Sequence, residues 1–240
     1  MIIPCIDLMG GKVVQLVQGR EDSKVLELPD ALSVLARFAA FPQVQVIDLD
    51  AAMGRSGQAE TVAQLCARKP CRVGGGIRTV ERAAEAVSQG ALKVIVGSSA
   101  FTSSGVNHPF LERLAAAIPW QNLMIAVDCL EDRVAIHGWK EMLRLTSGEA
   151  LKELERYGSE FLCTCIDVEG KHQGTRLDWF RKLRDATALP ITAAGGITTD
   201  SEIEALEKIG MNAALGVAIY RRIFPELFTA SSPLASTHST

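Results

Sequence analysis

The chain has no long run of lysine or arginine, and its 25 basic residues are outnumbered by 28 acidic ones, leaving a formal net charge of −3. A surface of that balance does not suit a polyanion, so neither nucleic acid nor an anionic membrane is an expected partner. No segment approaches the roughly 18 consecutive apolar residues of a membrane span. Met1 runs straight into Ile2, Ile3 and Pro4, a strand pattern without the charged stretch and apolar core of a secretory signal, so a cytoplasmic protein is expected. The six cysteines, at 5, 66, 71, 129, 163 and 165, include no CxxC pair. The histidines at 108, 137, 172 and 238 form no ligand-spaced group. Cys163 and Cys165, two apart on one strand face, come nearest to a metal pair, but they read as reduced, buried small hydrophobes and no metal site is expected.

What is present is a sequence written twice. Ile3-Pro4-Cys5-Ile6-Asp7 answers Met124-Ile125-Ala126-Val127-Asp128, Gly74-Gly75-Gly76-Ile77 answers Ala194-Gly195-Gly196-Ile197, and Val94-Ile95-Val96-Gly97 answers Ala213-Ala214-Leu215-Gly216. The three landmarks keep one separation of about 120 residues, half the chain. That is far longer than a solenoid repeat and reads as a duplicated half-domain. Short apolar runs at 2–7, 44–48, 71–73, 92–96, 123–128, 161–166, 190–193 and 213–216 alternate with helical patterns near 30–40, 58–68, 79–89, 109–117, 147–157, 176–187, 200–208 and 219–228. Eight strand-helix units with strands apolar on both faces predict an α/β fold, a closed (β/α)8 barrel built from two half-barrels, over residues 1–229. Segments 12–19 and 133–139 each read as an extra strand in equivalent loops. Residues 230–240, rich in Ser and Thr without apolar period, read as a disordered tail.

Asp7 and Asp128 each close an apolar strand, and the repeat sets them on opposite sides of the barrel rim. A single strand-end aspartate is most simply a cap or loop hydrogen bond, whereas a matched pair suits a reaction that removes a proton at one place and delivers one at another. Glycine turns at Gly76, Gly97, Gly195, Gly196 and Gly216, with Ser98, follow strands and precede helices, where unpaired amides favour an anion. Their pairing in both halves predicts two phosphate sites and hence a small ligand phosphorylated at each end, with its reactive atoms between the two aspartates. Thr164 lies in the sixth strand, where its β-branch alone would account for it. Trp139 either stacks on a flat heterocycle or packs its loop, and Arg78 either holds an anion or faces solvent.

With Ile3 to Leu8, Gly11-Lys12-Val13-Val14, Leu16 to Gly19, Asp48-Leu49-Asp50, Gly74 to Thr79, Val94 to Ser98, Gly138-Trp139 and Gly195-Gly196-Ile197, the chain resembles the phosphoribosylformimino-aminoimidazole carboxamide ribotide isomerases of histidine biosynthesis, over about residues 1–228. The resemblance implies an Amadori rearrangement of an aldose to a ketose. Asp7 would be the general base at C2, Asp128 the acid at the ring oxygen, and Thr164 a hydrogen-bonding partner of the sugar. It implies no cofactor, because a protonated Schiff base already acidifies the C–H bond, and a monomer is expected. The chain departs from the family's pattern after strand 6, with Cys165 in place of an acid and Glu169-Gly170-Lys171 in place of Asp-Gly-Thr, while Gly174 keeps the loop's later glycine as a substrate contact. The alternatives are the cyclase subunit of imidazole glycerol phosphate synthase, a dual-substrate isomerase also acting on phosphoribosylanthranilate, and a phosphate-binding barrel without catalysis.

Overall fold

Apolar strands that must bury both faces need a layer on each side, and the chain supplies one by closing its sheet. In the computed structural model, which describes residues 1–169 and 174–228, eight parallel strands run in chain order: β1 (Ile2–Met9), β2 (Val44–Asp48), β3 (Cys71–Gly74), β4 (Lys93–Val96), β5 (Leu123–Leu130), β6 (Glu160–Cys165), β7 (Ile191–Ala194) and β8 (Met211–Leu215). The ring closes where Ile2, Ile3 and Pro4 pair with Ala213, Ala214 and Leu215. Its halves join where Val94, Ile95 and Val96 pair with Leu123, Met124 and Ile125. The predicted (β/α)8 barrel is the observed fold.

Alternation along each strand sorts its residues between two cores. Ile95, Met124, Ala126, Leu162 and Ala214 point inward and pack together. Val94, Val96, Ile125, Val127, Phe161 and Cys163 point outward beneath the helices. Cys163 and Cys165 are buried free thiols there, and burial raises both so that they stay protonated. Among the described residues no group of three or more His, Cys, Asp or Glu is arranged to hold a metal, and no helix is long and apolar enough to cross a membrane.

The floor of the barrel is polar. Arg72 Nη1 donates to Glu160 Oε1 at 2.8 Å and to Thr192 Oγ1 at 2.7 Å, Arg72 Nε donates to Gln43 Oε1 at 3.0 Å, and Lys93 stands 3.4 Å from the other Glu160 oxygen. With Arg72 and Glu160 side chains only 3% and 5% exposed, these charges depend on each other to offset desolvation.

Helix starts follow local chemistry. Thr79, Thr146 and Thr199 each accept an amide at N3, and at Thr146 and Thr199 a glutamate three residues on completes a capping box. The two long loops hold more than one extra strand each. Lys12–Val17 turns back as Arg20–Leu28, and Arg133–Ile136 turns back as Glu141–Thr146. The second hairpin strand stops at Ile136, short of the expected 139, because His137, Gly138 and Trp139 all take positive φ. The tail expected at 230–240 lies outside the described residues.

Candidate active site

The ends of β1 to β8 and the loops beyond them enclose a cavity of about 420 Å³. Asp7 and Asp128, from strands on opposite sides of the ring, both line it. Gln15, from the first hairpin, donates its side-chain N–H to Asp7 Oδ2 at 3.3 Å. Burial, and then the neighbouring Glu169, push the Asp7 carboxyl up to about 7. Trp139 Nε1 donates to Asp128 Oδ2 at 2.8 Å. Burial raises Asp128 too, with hydrogen bonds from Trp139 and Thr164 pulling the other way. Thr164 is the ladder partner of Asp128 across β5 and β6, which accounts for that contact.

A third carboxylate belongs to this group. Glu169, in the loop after β6, lines the same cavity, and burial followed by Asp128 raises it to about 7, against a hydrogen bond from the Gly196 backbone. The sequence marks it only as a departure in a loop. Its place one short turn, Ile166–Val168, beyond the strand that carries Thr164 is the signal that points to the mouth. Gln15 carries no such signal, because its role depends on how the hairpin folds over β1.

The glycine turns match between halves in backbone geometry. Gly75 and Gly195 have φ of +95° and +97°, and Gly76 and Gly196 have +67° and +70°. A Cβ on Gly75 would stand 2.1 Å from the Asp48 carbonyl oxygen, and one on Gly195 2.4 Å from that of Cys165. Gly97 and Gly216 adopt nearly the same φ and ψ, −102°/−113° and −86°/−117°, each at the start of a helical turn. Gly76, Gly97, Gly195, Gly196 and Gly216 all line the cavity, so two pairs of amide-bearing turns flank the carboxylates.

Other expected residues take more specific places. Ser98 lines the cavity, and its Oγ accepts the His137 amide at 2.8 Å, tying one turn to the second hairpin. Besides holding Asp128, Trp139 lays its indole against the first hairpin, 3.6 Å from where a Gly19 Cβ would be. Arg78 lines the cavity, but its guanidinium donates to the carbonyls of Ala51 at 2.9 Å and Ala52 at 2.5 Å, closing the short helix Leu49–Ala52. Two of its donors thereby anchor the loop after β2 to the rim of the cavity. Gly174 is not among the described residues that line the cavity; its carbonyl backs onto Gly196, where a Cβ would come within 2.8 Å of it. Asp48 and Asp50 serve the scaffold: Asp48 accepts the amides of Ala51 and Gln58, and Asp50 those of Gly10 and the Gln58 side chain.

Fold and mouth together define a class, a (β/α)8 barrel enzyme with carboxyl groups lining its mouth between paired glycine turns. The chain belongs to the histidine biosynthesis protein family, whose model matches residues 1–225. It is similar to a protein of Methanocaldococcus jannaschii named 1-(5-phosphoribosyl)-5-((5-phosphoribosylamino)methylideneamino)imidazole-4-carboxamide isomerase, with 37% identity over 92% of this chain and 94% of the relative. Relatives of the same name from Gemmatimonas aurantiaca and Methanothermobacter thermautotrophicus are 36% and 32% identical, covering 91% and 92% of this chain and 92% and 93% of their own lengths.

Proposed function

We propose that this protein is an intramolecular aldose–ketose isomerase of histidine biosynthesis that performs an Amadori rearrangement on the bis-phosphoribosyl imidazole carboxamide named in its relatives. The observation that carries the reading is the joint lining of one cavity by Asp7 and Asp128, from opposite strands, between paired glycine turns. The turns offer backbone amides to a phosphate at each end of the substrate, which sets the ribose between the two carboxyl groups. Asp128, protonated, delivers its proton to the ring oxygen, and the ring opens to a protonated Schiff base at C1. Asp7, ionised, takes the proton from C2 to give an enaminol. Protonation at C1 and loss of the O2 proton complete the aminoketose, so the substrate gains and loses no atoms overall. Thr164 steadies Asp128 from the adjacent strand, and Glu169 adds a second titrating carboxyl near Asp7.

The carboxyls suit these duties. An Asp7 midpoint of about 7 gives a base that is substantially ionised at neutral pH yet strong enough to accept a carbon-bound proton. Activity therefore rises with pH through about 7 as Asp7 ionises and falls once Asp128 loses its proton.

The test is to incubate the purified protein with the aldose in the absence of ammonia and follow the ketose by absorbance. Asp7→Asn and Asp128→Asn are each expected to lower kcat by at least ~10²-fold while retaining substrate binding. Normal turnover in both variants removes the acid–base assignment. A requirement for ammonia points to the cyclase, and tight binding without turnover by the unaltered protein points to a non-catalytic barrel.

A further inference from the structure

Gln15 is buried, at 3% exposure, beneath the mouth. It sits on the hairpin strand Lys12–Val17, whose antiparallel pairing of Asp7 with Val14 brings the next side chain beside the carboxylate. Both side-chain N–H groups are committed: Nε2 donates to Val14 O at 2.9 Å and to Asp7 Oδ2 at 3.3 Å. The amide is also fixed from the far side of the barrel seam, because a Cβ on Gly216 would stand only 2.5 Å from Gln15 Oε1. The bare backbone after β8 thus makes room for the Gln15 amide, and the main chain of its own strand orients it.

We propose that Gln15 is a positioning residue for Asp7, a neutral donor that aims one carboxylate oxygen into the cavity without giving it a cationic partner. The inference rests on the isomerase reading for its kinetic consequence. Its physical basis is independent of it. Among the described residues, the charged group that acts on Asp7 is acidic, and its nearest strand neighbours are neutral. Cys5, two residues back on the same strand face, is a thiol raised well above its usual range by burial and by Asp7. Tyr220, from the helix Val217–Ile223, donates its hydroxyl to the Cys5 carbonyl at 2.9 Å, and burial and Asp7 both keep it protonated. Glu169 faces Asp7 from the loop after β6 and adds a like charge. Arg72, at the floor, acts on Cys5 and is committed to Glu160 and Thr192. Among the described residues Asp7 has no ion-pair partner, so the Gln15 amide is the donor that sets its direction. A lysine or arginine at position 15 would steer the carboxylate equally well, but it would hold Asp7 ionised and leave a weaker base.

The experiment separates position from charge. Asp7 is titrated by carbon NMR in protein carrying 13C-labelled aspartate, its resonance assigned by its loss in Asp7→Asn, and the same variants are assayed for isomerase turnover. In the unaltered protein the midpoint is expected near 7. Gln15→Lys is expected to lower it by at least ~1 unit, because an adjacent cation favours the carboxylate. Gln15→Met keeps the length but removes the donor, and is expected to raise the midpoint and to cut kcat about tenfold with KM changed less than about threefold. If Gln15→Lys does not fold, Gln15→Met decides alone. The proposal is overturned if Gln15→Met leaves both the midpoint and kcat unchanged, or if Gln15→Lys leaves the midpoint in place. Absence of turnover in the unaltered protein would sink the isomerase reading and leave the NMR titration to judge Gln15.

Discussion

Trp139 and Asp128 show how one side chain sets the chemistry of another. The indole N–H can only donate, so its 2.8 Å bond to Asp128 favours the charged carboxylate and works against the burial that raises it. Trp139→Phe keeps the aromatic bulk and removes the donor. The Asp128 midpoint then rises, and the alkaline limb of the kcat/KM profile shifts upward. A pH–rate series on the two proteins checks this, and an unmoved alkaline limb would detach Trp139 from the acid.

At the scale of the turn, glycines that look alike in sequence carry different demands. Gly196 holds φ +70°, and a Cβ there would meet Val168 Cγ2 at 2.7 Å and Gly174 O at 2.8 Å, whereas a Cβ at Gly97 would touch only Ala126 at 3.9 Å. Gly196→Ala is expected to cost about 1–3 kcal/mol of stability, and Gly97→Ala less than about 1, measured by urea denaturation. If Gly97→Ala nonetheless raises KM strongly, Gly97 serves the ligand and not the fold. The barrel itself was legible from sequence because each strand is a short apolar run bounded by turn residues, and Ile125 facing out while Met124 faces in needs no more than the pleat. Asp7, Asp128 and Thr164 were legible as strand residues near the mouth. Arg78 was legible as a cation beside a glycine turn at the cavity, whereas its bonds to the carbonyls of Ala51 and Ala52 depend on how the loop after β2 folds. The returning strands Arg20–Leu28 and Glu141–Thr146 escaped notice because their charged residues break the apolar alternation that marks a strand. Gln15 was hidden because its contact to Asp7 exists only once the hairpin lies over the mouth.

Across the whole molecule the mouth is a burden on stability. A carboxyl raised in the folded state contributes stability that is fully present below its unfolded midpoint, near 4, and is lost as pH rises through the folded one, about 7 for Asp7. Asp7→Asn removes that loss. The variant is expected to be more stable than the unaltered protein at pH 8, by about 2 kcal/mol once the open cavity's solvent is allowed for, and the advantage should vanish near pH 4. Thermal melts at the two pH values check it, and a variant less stable at pH 8 would mean that Asp7 contributes contacts worth more than its ionisation costs.

The Arg72, Glu160 and Thr192 network has a consequence for traffic. Among the described residues, those interlocked side chains plug the barrel below Asp7 and Asp128, so a ligand held between the carboxyl groups would leave by the mouth through which it came. Under the proposed function, product and substrate would then contend for the barrel's mouth.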